Sequence, residues 1–267
     1  MITIPVRASS WQELFDCPAR WAAKNIDGIR TPTSGAAWLG TSLHKGTAEY
    51  DAARIKREPV GIDEAAAVMV AKLHSPIDEE SGVEVYWEDS SAAKVEPIAL
   101  TLLRRYCEEI APQRDYIGVE VLCEELDIQC DGIAIRLTGT ADRIRREESG
   151  YGISDIKSGQ RAVCADGTAM TKGHGLQLGV YELLAENAIG KPITASAEVI
   201  GLQTTKQAKV GTGMVANTRT ALIGTGDHPG AIEHAAAILR SGMFYGNPKS
   251  MTCHEKYCPI FNTCTFN

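Results

Sequence analysis

The chain has 267 residues, 44% hydrophobic and 23% charged, the mixture of a globular protein long enough to bury a sizeable core. Its 27 Lys+Arg against 34 Asp+Glu leave a net charge of −7; this excludes coating nucleic acid by bulk charge, but not a local basic groove or an acidic site neutralised by metal. Eight cysteines are too few for a secreted disulfide scaffold, MITIPVRASSW lacks the basic start and long apolar run of a signal peptide, and no apolar run approaches the ~18 residues of a membrane span. The expected location is the cytoplasm, with reduced thiols and no membrane contact.

In chain order, Ser10 followed by Glu13 has the pattern of a capping box before the apolar Trp11, Leu14 and Phe15, which predicts a short helix. Cys17-Pro18 opens a second one carrying Arg20 and Lys24. Leu39, Leu43, Gly46, Tyr50 and Ala53 recur at helical spacing and predict a long helix from Ala36 to Lys56, with His44 on its flank. Further helices are predicted over Asp63–His74 and Glu96–Ile110, the latter opening at Pro97.

From Tyr116 the texture changes to alternation and β-branched residues. IGVEVLCEELDIQC, an Asp131-Gly132 turn, IAIRLTGTADRIRR, a turn at Glu148-Ser149-Gly150 and YGISDIKSG predict an antiparallel meander of three strands. A helix over Gly175–Asn187, a strand over Ile193–Thr205 and an alanine-rich helix over His228–Ser241 follow. Helices packed on a mixed sheet are therefore expected, an α/β (α+β) chain forming one domain, with 1–112 mainly helical and a cysteine-rich tail over 247–267.

A hairpin centred between Glu148 and Ser149 sets Asp142 opposite Asp155. Two carboxylates so placed repel unless a cation lies between them, and Lys157 projects from the same face as Asp155 because the strand period is two. Oxygen ligands of this kind suit Mg2+ or Mn2+. The rival reading is an exposed Asp155/Lys157 pair with Asp142 as a surface acid. Glu120 lies on the neighbouring strand: one register turns it toward Asp142, a shift of one residue turns it away.

The segments GTSLHKGTAEY, LTGTADRI, ISDIKSGQ and LQLGVYELL resemble, in order, the histidine, Asp, D/E-x-K and Gln-x-x-x-Tyr motifs of RecB-like nucleases of the PD-(D/E)XK superfamily. Ala141 stands where the superfamily name has proline. The resemblance implies a restriction-endonuclease-like core. It also implies His44, Asp142, Asp155 and the carbonyl of Ile156 as metal ligands, Lys157 as the catalytic lysine, and Gln177 and Tyr181 lining the site beside DNA. Taken alone, a histidine beside an apolar stripe is more often a hydrogen-bonded structural residue, and Gln177 and Tyr181 are residues of an amphipathic helix.

Cys253, Cys258 and Cys264 cluster in CHEKYCPIFNTC and lack a fourth partner. The RecB-like branch, which includes the AddB subunit and CRISPR-associated nucleases, combines one N-terminal with three C-terminal cysteines. By that resemblance Cys17 completes a 4Fe-4S site. Structural zinc, with His254 as a candidate ligand, is the rival, and disulfides are a third reading. Either metal group would pin the chain ends together. Cys107, Cys123, Cys130 and Cys164 read as buried small apolar residues.

The function this implies is a metal-dependent DNA exonuclease, working in recombination, repair or phage replication with a recombinase or single-strand annealing partner. No G-x-x-x-x-G-K-[ST] phosphate loop indicates a fused motor. The competing class is a non-catalytic DNA-binding or assembly subunit with a structural Fe-S or zinc site.

Overall fold

A computed structural model describes residues 2–59, 61–78 and 82–267. The chain begins with a strand that pattern alone does not reveal, β1 (Thr3–Arg7), then α1 (Trp11–Asp16) and α2 (Pro18–Asn25). The capping box does not form. The Ser10 hydroxyl donates to the Arg7 carbonyl and accepts from the Trp21 indole, so it ties α1 to α2 instead of capping. A short β2 (Thr33–Ser34) leads into α3 (Gly35–Lys56), whose first turn is capped by Ser34 accepting from the Ala37 amide and which ends at Arg57 in the left-handed region.

Next come α4 (Ile62–Leu73), β3 (Ile77–Asp78), β4 (Val83–Tyr86) and α5 (Ala92–Arg105). β2, β4 and β3 form a small sheet within the mainly helical N-terminal part. α5 starts before Pro97, because Ser91 caps it by accepting from the Lys94 amide. A π-helical turn over Tyr106–Ile110 continues it.

The predicted three-strand meander is corrected. Its first two stretches each break in the middle, giving β5 (Asp115–Leu122), β6 (Leu126–Cys130), β7 (Ile133–Thr138) and β8 (Thr140–Glu147), with β9 (Gly150–Gly159) after them. β6 and β7 leave the main sheet and join β1 in the order β1-β7-β6, β1 running parallel to β7. The break falls at Gly139, where a Cβ would stand 3.0 Å from Tyr181 and 3.2 Å from Ala8. Pairing slips by one residue across it: Val119 faces Arg143 in β5–β8, whereas Leu126 faces Leu137 in β6–β7.

The remaining elements are α6 (Gly175–Ile189), β10 (Ala197–Gln203), β11 (Val210–Val215), α7 (Thr218–Ile223) and α8 (Ala231–Ser241). The main sheet has the order β11-β10-β9-β8-β5, with β10 parallel to β9 and the other neighbours antiparallel. The architecture is thus mixed α/β, and alternation splits the strands between two cores. Ile144, Ile153 and Val199 pack with α6 and α8 in one; Ile156, Ile200 and Leu202 pack with α3, α4 and α5 in the other. Of the cysteines read as apolar, Cys107 and Cys123 are buried, while Cys130 and Cys164 are only partly so.

Candidate active site

The site forms where β8 begins, because α3 crosses β9 close enough to reach it. Gly40 makes that approach possible: a Cβ there would stand 2.5 Å from the Ser158 hydroxyl. His44 lies one turn further along the same helix face. Its Nδ1 is 3.5 Å from Asp142 Oδ1. The other Asp142 oxygen accepts from the Ile156 amide at 2.7 Å.

The β8–β9 hairpin has the expected register, Glu147 facing Gly150 and Arg143 facing Ser154, so the next rung sets Asp142 across from Asp155. Glu120 has the register that turns it toward Asp142, since Val119 and Val121 face Arg143 and Ala141. Glu120 itself sits in the left-handed region at φ +46°. Ligand atoms of His44, Glu120 and Asp142 all lie within 4.8 Å of one another.

Beside this trio Lys157 Nζ contacts Asp155 Oδ2 at 2.7 Å and donates to Gln177 Oε1 at 3.0 Å. The Gln177 amide in turn donates to the Tyr181 hydroxyl at 3.2 Å. A row of polar side chains therefore runs from β9 to α6. The family model of the PD-(D/E)XK nuclease superfamily matches residues 6–265. The chain belongs to that superfamily. Among solved structures it is similar to a protein named "Putative exonuclease" from Eubacterium rectale, with 11% identity, TM-score 0.52, and 92% of this chain and 86% of that one covered. It is also similar to one named SSO0001, with 13% identity, TM-score 0.43, and 98% and 85% covered. No curated protein matches the sequence.

The electrostatics of the candidate site separate its carboxylates. Burial opposes ionisation of Asp142, but His44, Lys157 and the Ile156 amide outweigh it and hold the carboxyl down at about 2. Burial pushes Asp155 up to about 6; Lys157 opposes the rise and Asp142 adds to it. Glu120 is raised by burial and by Asp142. For His44 burial works against the charged form, yet Asp142 overcomes it and the imidazole is raised. Crowded acids of this kind, with one imidazole, fit a hard or borderline divalent cation.

Two residues near the acids are not singled out by pattern. Arg143, fully buried, contacts Asp51 Oδ2 at 2.7 Å, the Thr47 hydroxyl at 3.1 Å, the Asp142 carbonyl at 2.7 Å and Glu120 Oε1 at 3.3 Å. No local pattern in the sequence marks Arg143, because its burial depends on α3 covering that face of β8 with Asp51 and Thr47. His174, at the start of α6, is lowered to about 4 by burial and by Lys157.

In a separate part of the chain, Cys17, Cys253, Cys258 and Cys264 line one cavity, beside Arg20, Asn247 and Phe261. All eight cysteines are unbridged. The Asn247 amide points at Cys17 Sγ, and the Cys258 thiol is raised by burial, with Cys17 and Cys253 adding to the effect. The His254 ring lies 6.1 Å from Tyr257 and 6.2 Å from Phe261, tilted to both.

Proposed function

We propose that this chain is a divalent-metal-dependent DNA exonuclease, built as one nuclease domain. The observation that carries the reading is the convergence of His44, Glu120 and Asp142 within 4.8 Å, with Asp155 and Lys157 alongside, in a member of this superfamily. In the proposal His44, Asp142, Asp155 and the Ile156 carbonyl hold the ion, and Glu120 joins them. The Ile156 carbonyl leaves its strand on the same side as its amide, toward Asp142. A bound Mg2+ or Mn2+ would supply a water of lowered pKa and polarise the phosphoryl oxygen.

The chain's own groups do the rest. Asp155 and Gln177 hold the Lys157 ammonium from two sides, where it orients the attacking water and balances charge on the phosphate. Tyr181 fixes Gln177 and, with it, borders the DNA. Attack from DNA ends is the part of the reading that leans on likeness to the Eubacterium rectale protein named "Putative exonuclease". The cellular setting we propose is cytoplasmic DNA recombination, repair or phage replication beside a recombinase or annealing protein. Among the described residues no helix is long and apolar enough to cross a membrane.

The thiol cavity is proposed to hold a 4Fe-4S cluster as a staple away from the hydrolytic site. What supports a cluster over zinc is the pattern of one N-terminal and three C-terminal cysteines, all lining the same cavity.

The test is incubation of the purified protein with end-labelled linear DNA and with circular DNA, in Mg2+ or Mn2+. Mononucleotides or short products from linear DNA, with circles left intact, support the reading. Nicking of circles removes the exonuclease assignment, and no hydrolysis of either removes the nuclease function.

A further inference from the structure

The seam between α3 and the edge strand β5 carries the candidate site at one end and a basic hollow at the other. His44 and Glu120 face each other across the seam at the site. Further along, Asp51, Arg54, Ile55 and Arg57 of α3 and its C-cap meet Arg114, Asp115, Tyr116 and Ile117, with Arg146 of β8 beside them, around a cavity of about 440 Å3. Four guanidiniums therefore converge in a protein whose net charge is −7.

The two inner arginines, Arg54 and Arg114, are tied to acids, and the two at the rim are held far less. Asp51 is wholly buried, and its Oδ2 is engaged by Arg143 at 2.7 Å and by the Tyr106 hydroxyl at 2.5 Å. Arg54 lies 3.5 Å from its other oxygen and donates to the Ala111 carbonyl. Arg114 is paired with Glu198. At the rim, however, Arg146 meets Asp115 only at 3.7 Å, with both side chains more than half exposed. Arg57 has no ion-pair partner among the described residues. It occupies the left-handed C-cap at φ 59°, a position that favours glycine or asparagine.

We infer that this hollow is a phosphate-holding subsite for the DNA backbone, occupied by the same strand whose scissile bond lies at His44 and Asp142. The inference rests on the nuclease reading and names where the substrate continues. From His44 to Arg57 the helix rises ~20 Å, and from Glu120 to Asp115 the strand rises ~17 Å. A DNA strand that follows the seam therefore reaches the rim several phosphates away from the cleaved one. Arg143 underlies the seam between, touching Glu120 at one end and Asp51 at the other. The distance is what separates this subsite from the chemistry: it should matter for DNA long enough to span it and not for shorter DNA.

The experiment measures binding of labelled oligonucleotides of about 3 and about 20 nucleotides to the whole protein in EDTA, over a salt series, and their hydrolysis in Mn2+. For Arg57→Ala/Arg146→Ala we expect affinity for the longer DNA to fall roughly tenfold and the log-log salt slope to shrink by about 1.5, from ~0.7 per lost phosphate contact on a single strand. Hydrolysis of the trinucleotide should match the parent. A control pair away from the seam, Lys191→Ala/Arg240→Ala, removes the same charge and should leave both readouts unchanged. Unaltered binding of the longer DNA, or an equal loss in the control pair, overturns the proposal. So does inorganic phosphate that binds the parent and not the variant while DNA binding is unaffected, which would mark a free-anion site. Arginine-dependent binding by a protein that hydrolyses no DNA would sink the nuclease reading and leave the subsite standing.

Discussion

Arg143 and Asp51 form an ion pair with both side chains wholly buried, 2.7 Å apart, between β8 and α3. Such a pair gains little over a well-packed apolar pair, but removing one partner leaves an uncompensated charge. Arg143→Met should therefore cost about 3–5 kcal/mol of unfolding free energy. Arg143→Met/Asp51→Leu should recover much of that loss. Denaturant titrations of the three proteins check it; a single variant as stable as the parent would show that the pair is not buried in solution.

At the site itself, Asp155→Asn and Lys157→Ala should each lower DNA hydrolysis by about a thousandfold or more with the fold retained, because both side chains face the site and neither fills a core. Glu120→Gln should instead raise the Mn2+ concentration needed for half-maximal rate by roughly 10–100-fold and be rescued by excess Mn2+. Activity should disappear in EDTA and in Ca2+, whose looser coordination positions water poorly. Full hydrolysis in EDTA is the result that discards the metal assignment.

His174 gives a pH signature. Its pKa is lowered to about 4 in the folded chain by burial and Lys157, from the ordinary histidine value of 6.5. Between those values the unfolded chain takes up a proton that the folded chain refuses, so this residue costs stability as pH falls from 6.5 toward 4. In buffer free of divalent ions, His174→Gln should lose less melting temperature between about pH 7 and pH 5 than the parent does. Parallel pH curves for the two proteins would refute it.

Replacing Cys17 should be as damaging as replacing Cys258, although they lie near opposite ends of the chain, because both line the same cavity. Anaerobically purified parent should be brown, with a broad absorbance near roughly 400 nm and iron in elemental analysis. Cys17→Ser should lose the metal and melt lower. Zinc in place of iron keeps the staple and removes the cluster; a Cys17→Ser protein with the parent's metal content and melting temperature removes both.

Asp142 and Asp155 can be set face to face from the sequence because a tight hairpin turn fixes register, and parity then assigns each side chain to a face. Helix α3 is legible from its apolar spacing, and His44 comes with it. Glu120 is not decidable, because its orientation depends on a left-handed residue and on a one-residue slip that no local pattern announces. β1 escapes notice since a short strand such as Thr3–Arg7 exists by virtue of β7 beside it. Arg143 stays hidden for a related reason: alternation makes it an ordinary outward residue until α3 is known to cover that side with Asp51 and Thr47.

The slip at Gly139 also has a practical side. β6 and β7 interrupt the chain between the strands that carry Glu120 and Asp142, yet they belong to a different sheet and turn back at Asp131-Gly132. Both turn residues have positive φ, and both are exposed. A peptide tag or a dye-bearing loop spliced into this tip would lengthen a hairpin whose pairing is independent of the β5–β8 ladder. The tip thus offers a handle for surface immobilisation or fluorescence tracking in which the molecule on the bench keeps the acidic cluster of the untagged one.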